Sequence, residues 1–149
     1  MRLVFVHGST GPIPNEIGNL LKLEILDLGW NSLSGSIPVW IFNMSTLRML
    51  DLFGNHLSGV LPSNMCHGLH NLEDIHLGRN NFSGAIPASI SNCSKLIEIY
   101  LFDNKFSGPI PNSLGNLRRL EVLYLSANKR ANLHHQNWAS SLPSQIASL

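Results

Sequence analysis

Apolar residues step along the chain in a rhythm that neither a single helix nor a single strand explains. Leu23, Leu26 and Leu28 are followed by Leu33, then Ile37, Ile41 and Met44, and the same spacing restarts at Leu47, Leu72, Leu96 and Leu120. The full pattern, L-x-x-L-x-L-x-x-N-x-L/F-S-G-x-I/L-P, runs from Leu23 to Pro38, Leu47 to Pro62, Leu72 to Pro87 and Leu96 to Pro111. Successive starts, including the copy opening at Leu120, lie 24, 25, 24 and 24 residues apart, and a degenerate first copy ends in Gly11-Pro12-Ile13-Pro14. A fixed period of this size marks a solenoid, in which each unit buries its apolar face only against its neighbours. The apolar positions point inward, and L-x-L predicts one short strand per coil. Without space for a long helix between them, the strands stack in parallel, about 4.8 Å apart, along one wall of the coil.

The polar positions repeat as strictly as the apolar ones. Asn31, Asn55, Asn80, Asn104 and Asn128 form one column, with His7 in its place in the first copy. A carboxamide both donates and accepts, so a stacked column can satisfy backbone groups where each strand turns inward, and this reads as a structural ladder. Gly35, Gly59, Gly84 and Gly108 supply turn geometry, and Pro38, Pro62, Pro87 and Pro111 fix φ without needing a ladder donor. This is turn chemistry and not a phosphate loop.

The two cysteines read through the same columns. Cys93 stands where other coils carry Leu20, Met44, Leu69 and Leu117, which predicts a small buried hydrophobe. Cys66 falls in the one coil with an extra residue, where either it or Met65 takes the slot of Ile17, Ile41, Ile90 and Leu114. The slots of the two cysteines are offset along the coil, which counts against a disulfide between them.

Composition narrows the classes. The 149 residues fit one domain, residues 1–149, in coils near 1–22, 23–46, 47–71, 72–95, 96–119 and 120–149. A 13% charged fraction and a net charge of +1 argue against nucleic acid or an acidic membrane as an electrostatic partner. Leu3 to Val6 is too short for a secretory h-region of roughly 7 to 15 residues, and no apolar run approaches the roughly 18 residues of a membrane span. The chain therefore reads as soluble, with no signal peptide or transmembrane segment.

Chemical motifs are sparse. Among seven histidines the closest pairs are His67 with His70 and His134 with His135, and neither has the Cys/His/Asp/Glu company of a zinc site. Ser, His and Asp occur without a nucleophile motif such as G-x-S-x-G. No catalytic residue, metal or cofactor is expected. Three glycosylation sequons occur, at Asn43-Met44-Ser45, Asn81-Phe82-Ser83 and Asn92-Cys93-Ser94. Asn43 and Asn92 share a column with Asn19 and Asn116, which carry no sequon, so asparagine there suits the turn. Asn81 shares its column with Ser32, His56, Lys105 and Lys129 and is expected to face solvent. Use of any of the three requires a secretory route.

The repeat as it stands in Leu23 to Pro38 resembles the plant-type leucine-rich repeat of receptor-like kinase and receptor-like protein ectodomains, over about residues 11–128. The resemblance implies an α/β leucine-rich-repeat solenoid, curved or twisted, with the parallel sheet on the concave face and short 3-10 or helical turns on the convex face. It also implies ligand recognition at the cell surface. The chain departs from that family in lacking the cysteine-bearing caps and any kinase signature, so it is expected to be a fragment lacking both caps, and kinase activity does not carry over. After Asn128 the pattern resumes only at Leu142-Pro143, which loops out Lys129 to Ser141 with His134, His135 and Trp138, as a functional island or as a divergent terminal coil.

Function should lie in the variable positions of the strands, which coil packing does not dictate. The column between the inward residues reads Asp27, Asp51, His76, Tyr100, Tyr124, and the column after the strand reads Gly29, Phe53, Gly78, Phe102, Ser126. The candidate ligand-binding residues are Asp27, Asp51, His76, Tyr100, Tyr124, Phe53 and Phe102. Exposed Tyr and Phe are enriched in binding sites, although aromatic stripes also serve to pair neighbouring strands. By resemblance the chain is a non-catalytic recognition module of a plant receptor ectodomain, at the extracellular face of the plasma membrane or in the cell wall. Its partners would be a peptide, protein or glycan-linked ligand, with a co-receptor besides. A second reading is a polygalacturonase-inhibitor-type protein that docks a basic enzyme face through Asp27, Asp51, Asp74 and Glu98. A third is a truncated product without an independent role.

Overall fold

A computed structural model of the chain describes residues 1–4 and 7–128. Strands β1 (Arg2–Val4), β3 (Ile25–Asp27), β5 (Met49–Asp51), β7 (Asp74–His76), β9 (Glu98–Tyr100) and β11 (Val122–Tyr124) form one six-stranded parallel sheet in that spatial order. Each strand is the L-x-L segment of its coil. Leu3, Leu26, Leu50, Ile75, Ile99 and Leu123 stand in register across it, and the last five are fully buried. Strand residues alternate faces, so the residues flanking each buried one point outward and are half-buried.

A second sheet was not legible in the repeat. Strands β2 (Thr10–Gly11), β4 (Ser32–Ser36), β6 (His56–Val60), β8 (Asn81–Gly84) and β10 (Lys105–Phe106) pair in parallel, in the order β10-β8-β6-β4-β2. They arise from the x-L-S-G stretch assigned above to a turn. That stretch alternates as a strand does: Leu33, Leu57, Phe82 and Phe106 are buried, and Phe82 stacks on Phe106 at 6.3 Å. The glycine column keeps its turn role within these strands, with Gly35, Gly59 and Gly84 at φ of 81°, 94° and 80°.

The back of the coil is built by 3-10 turns at Asn15–Asn19, Val39–Asn43, Ala88–Asn92 and Asn112–Asn116. Each starts after an extended proline, Pro14, Pro38, Pro87 or Pro111, whose fixed φ suits the entry. No longer helix forms among the described residues, so the helical part of this α/β solenoid is entirely of the tight kind.

The third coil is the exception, and it corrects the reading of the cysteines. Met65 donates its N–H to the Pro62 carbonyl at 3.1 Å, as Ile41 does to Pro38, so Met65 holds the apolar slot. The extra residue then turns Cys66 inward, where it forms a disulfide with Cys93 at a Cα–Cα distance of 5.2 Å. The slot offset weighed against this bond took spacing along the chain as separation along the coil, and with Met65 in the apolar slot Cys66 lies within bonding reach of Cys93. Past Cys66 the chain returns close to the preceding coil. A Cβ at Gly68 would sit 2.5 Å from the Phe42 carbonyl oxygen, so only glycine fits there.

The asparagine column joins the two sheets. Asn31, Asn55, Asn80 and Asn104 are buried. Asn80 accepts from the Leu57 N–H at 3.0 Å and donates to the Leu52 and Leu77 carbonyls at 2.8 and 3.2 Å. Asn104 repeats this with Phe82, Leu77 and Leu101, and Asn128 with Phe106, Leu101 and Leu125. One amide thus ties the end of a first-sheet strand to both sheets of the preceding coil. His7, in the same column, instead lies exposed with Nδ1 2.9 Å from the Trp30 carbonyl.

Candidate functional site

The outer face of the six-stranded sheet carries the variable columns. Asp27, Asp51, His76, Tyr100 and Tyr124 stand in register on consecutive strands, so the sequence column is a physical row. Asp51 Oδ1 accepts the Phe53 N–H at 2.9 Å, which turns its other oxygen toward His76. His76 sits between two acids, with Nδ1 3.5 Å from Asp51 Oδ2 and Nε2 3.2 Å from Glu98 Oε2. Its ring meets Tyr100 edge-on at 4.6 Å, and Tyr100 lies 5.1 Å from Tyr124. Asp27 is engaged elsewhere, by Arg2 at 3.1 Å.

The second row works by alternation of size. Phe53 and Phe102 belong to coils two apart, yet their rings approach to 5.6 Å. They meet over Gly78, where a Cβ would lie 3.0 Å from one ring and 3.1 Å from the other. Phe102 then contacts Tyr100 at 6.4 Å and Tyr124 at 6.3 Å, which merges both rows into one aromatic surface. Such edge-to-face and tilted contacts add about 0.5–1.5 kcal/mol each beyond buried area, so the rings are held rather than loosely displayed.

Two members of this surface were missed. Trp30 is 55% exposed and packs edge-on against Phe53 at 4.9 Å. The Arg79 guanidinium lies 5.7 Å from both the Trp30 and the Phe53 ring centres, with Nε 3.9 Å from Asp103. Both come from the position just before the ladder asparagine, where Trp30, Arg79, Asp103 and Ala127 all have φ of 52–53°. A bulky residue in this left-handed conformation costs roughly 1–2 kcal/mol, which the ring contacts must offset. The same column contains Gly54, whose hydrogen faces the Trp30 ring, a Cβ there falling 3.0 Å from Trp30 Cε3. The variability of this column, Trp30-Gly54-Arg79-Asp103-Ala127, is the signal that would have found them.

Electrostatically the face is divided. Asp74 stands beside Glu98 in register and has no ion-pair partner among the described residues. Burial, and then the Glu98 charge, push its carboxyl above the usual range. For His76, burial disfavours the imidazolium, but the hydrogen bonds and charges of Asp51 and Glu98 together outweigh it, and its pKa rises above the ordinary histidine value. Burial followed by Glu98 raises the Tyr100 phenol. A raised histidine pKa means that the native state holds the proton more tightly, so this contribution to stability is complete below the ordinary value of about 6.5 and disappears as pH rises through the folded value. Urea midpoints should therefore fall as pH rises above about 6.5, and His76→Gln should flatten that slope.

The remaining candidates lie apart from this surface. Asn43 and Asn92 are exposed on the 3-10 side, whereas Asn81 is half-buried in β8, which is flanked by β6 and β10. Asn81 is thus less exposed than its column predicted, while Ser32, His56 and Lys105 at the same position of β4, β6 and β10 are exposed as expected. No group of three His, Cys, Asp or Glu placed to hold a metal occurs among the described residues. Lys129 to Ser141, with His134, His135 and Trp138, lie outside the described residues.

A family model described as leucine rich repeat matches residues 14–57 and 70–129. The chain belongs to the leucine-rich-repeat family. Among solved structures, this leucine-rich-repeat chain is similar to the ectodomain of the plant membrane receptor kinase GASSHO1/SCHENGEN3 from Arabidopsis thaliana, solved with CASPARIAN STRIP INTEGRITY FACTOR 2. The identity is 44% and the TM-score 0.80, over 85% of this chain and 15% of that one. It is also similar to the Arabidopsis receptor kinase HAESA ectodomain bound to an N-terminally extended IDA peptide hormone, with 36% identity and a TM-score of 0.82, over 86% of this chain and 22% of that one. A plant ice-binding protein matches at 33% identity and a TM-score of 0.74, over 85% of this chain and 49% of that one. The chain thus spans between about a seventh and a half of these proteins. No curated protein sequence matches it. Leucine-rich-repeat ectodomains of this kind are non-catalytic ligand-binding modules, and no helix among the described residues is long and apolar enough to cross a membrane.

Proposed function

We propose that this chain is a peptide-recognition segment of a plant receptor ectodomain and that its ligand lies across the outer, concave face of the six-stranded sheet. The observation that carries this reading is the aromatic surface of Trp30, Phe53, Tyr100, Phe102 and Tyr124, preorganised by ring contacts and bordered by Arg79. Six strands at about 4.8 Å span roughly 24 Å, room for about seven residues of extended peptide. The ligand places a cationic or donor group near Asp51, Asp74 and Glu98 and apolar groups on the tyrosines. Its similarity to ectodomains solved with peptide hormones supports this choice, and a co-receptor is a further partner, as in the HAESA complex with IDA and SERK1. The Cys66–Cys93 disulfide supports an extracellular location, since structural disulfides persist in oxidising compartments.

Selection of displayed peptides against the full chain tests the proposal. Tyr100→Ala and Tyr124→Ala should each weaken a selected peptide by at least about 1 kcal/mol, as hot-spot aromatics do. Asn64→Ala and Ser89→Ala, on the opposite side, should leave binding unchanged. Ser89 Oγ is buried without a hydrogen bond, so its loss should not destabilise the fold either. Unaltered binding by both tyrosine variants, with binding abolished by the convex ones, would overturn the assignment.

A further inference from the structure

We propose that Asn43 and Asn92 are the N-glycan acceptors of this chain, that Asn81 is not, and that occupancy of Asn92 is set by a race with closure of the Cys66–Cys93 disulfide. All three asparagines head a sequon, and the columns alone favoured Asn81. The fold does. Asn43 and Asn92 end the 3-10 turns Val39–Asn43 and Ala88–Asn92, are exposed, and make no side-chain hydrogen bond among the described residues. A glycan there extends from the back of the coil. Asn81 is half-buried in β8 with paired strands on both sides, where neighbouring strands run only about 4.8 Å away. A branched oligosaccharide at that position would cover the second sheet during its assembly.

The middle residue of each accepted sequon decides timing. Met44 is 9% exposed and Cys93 0%, so neither tripeptide can lift into a transferase active site once its coil has closed. Transfer must precede closure. In that step Nδ2 of the asparagine attacks C1 of the first sugar of a polyprenyl-diphosphate-linked oligosaccharide. The C1–N bond forms, the C1–O bond to the diphosphate breaks, a proton passes from Nδ2 to the transferase, and polyprenyl diphosphate leaves. For Asn43 closure is noncovalent. For Asn92 it is covalent, because the adjacent Cys93 is oxidised with Cys66, two electrons and two protons passing to a protein disulfide that becomes a dithiol. Both carriers point away from the aromatic face, so glycosylation leaves the proposed peptide site open.

The test expresses the full chain behind a secretion leader in plant cells and reads total cell lysate as well as medium, so neither folding nor the natural route limits it. Enzymatic deglycosylation in heavy-oxygen water, followed by peptide mass spectrometry, should label Asn43 and Asn92 and leave Asn81 unlabelled. Cys66→Ala keeps the Asn92-Cys93-Ser94 sequon intact while abolishing the disulfide. Because disulfides form over seconds to hours, slow enough to compete with transfer, occupancy at Asn92 should rise at least about two-fold relative to Asn43. A mild reductant during synthesis of the unaltered chain should do the same. Label at Asn81, or its absence from Asn43 and Asn92, would overturn the site assignment. Unchanged Asn92 occupancy in both the variant and the reduced cells would overturn the race.

Discussion

Leu101→Ala, or equally Leu52→Ala, should cost about 2–5 kcal/mol of stability, while Ser32→Ala and Lys105→Ala should stay within about 0.5 kcal/mol. Leu52 and Leu101 are fully buried at the end of the L-x-L segment, and Ser32 and Lys105 are exposed one residue past the ladder asparagine. The leucines do more than fill space, since their carbonyls also receive the ladder amides Asn80 and Asn128. Strands pair only between adjacent coils, so the loss should appear first as local opening of the flanking coils. Urea denaturation of the full chain measures it. Equal losses in the two classes would mean that inside and outside had been exchanged.

Asn80→Ala should cost about 3 kcal/mol, because it leaves the buried Leu57 N–H unsatisfied, at roughly 1–3 kcal/mol unless water rescues it, and takes one of two donors from the buried Leu52 and Leu77 carbonyls. The Leu57 N–H of the preceding coil is the group left without a partner, since the Leu52 and Leu77 carbonyls keep the Asn55 and Asn104 amides. Asn80→Asp keeps the acceptor but loses both donors and sets a carboxylate against carbonyl oxygens, so it should not restore stability. Hydrogen exchange at the Leu57 amide provides the local readout. Retained protection in Asn80→Ala would show that the column is not what joins the sheets.

The difference between what the repeat revealed and what it concealed follows from which neighbours decide each residue. Leu26, Leu50, Ile75, Ile99 and Leu123 were legible because a 24-residue period and inward packing leave them one environment. The second sheet was hidden because Gly35, Gly59 and Gly84 read as turn residues, and only pairing between adjacent coils makes strands of segments with such backbone angles. Cys66 and Cys93 were misjudged because one inserted residue changes a lateral position that column counting treats as fixed. Within the candidate site, Asp51, His76, Tyr100, Tyr124, Phe53 and Phe102 converge in one surface, whereas Asp27 is held by Arg2. Trp30 and Arg79 escaped because they project from a left-handed position that lies outside the strand proper. Their direction comes from three-dimensional contacts, with Gly54 and Gly78 giving the rings room.

Hydroxyl-radical footprinting of the full chain, with and without a peptide selected on it, tests the recognition face most directly. The outer face carries Trp30, Phe53, Tyr100, Phe102 and Tyr124, and the opposite side carries Trp40, whose indole N–H bonds Asn15 at 3.1 Å. Protection should concentrate on the five outer rings and leave Trp40 oxidised at the free rate. Protection of Trp40 with no change at Tyr100, Phe102 and Tyr124 would contradict the account.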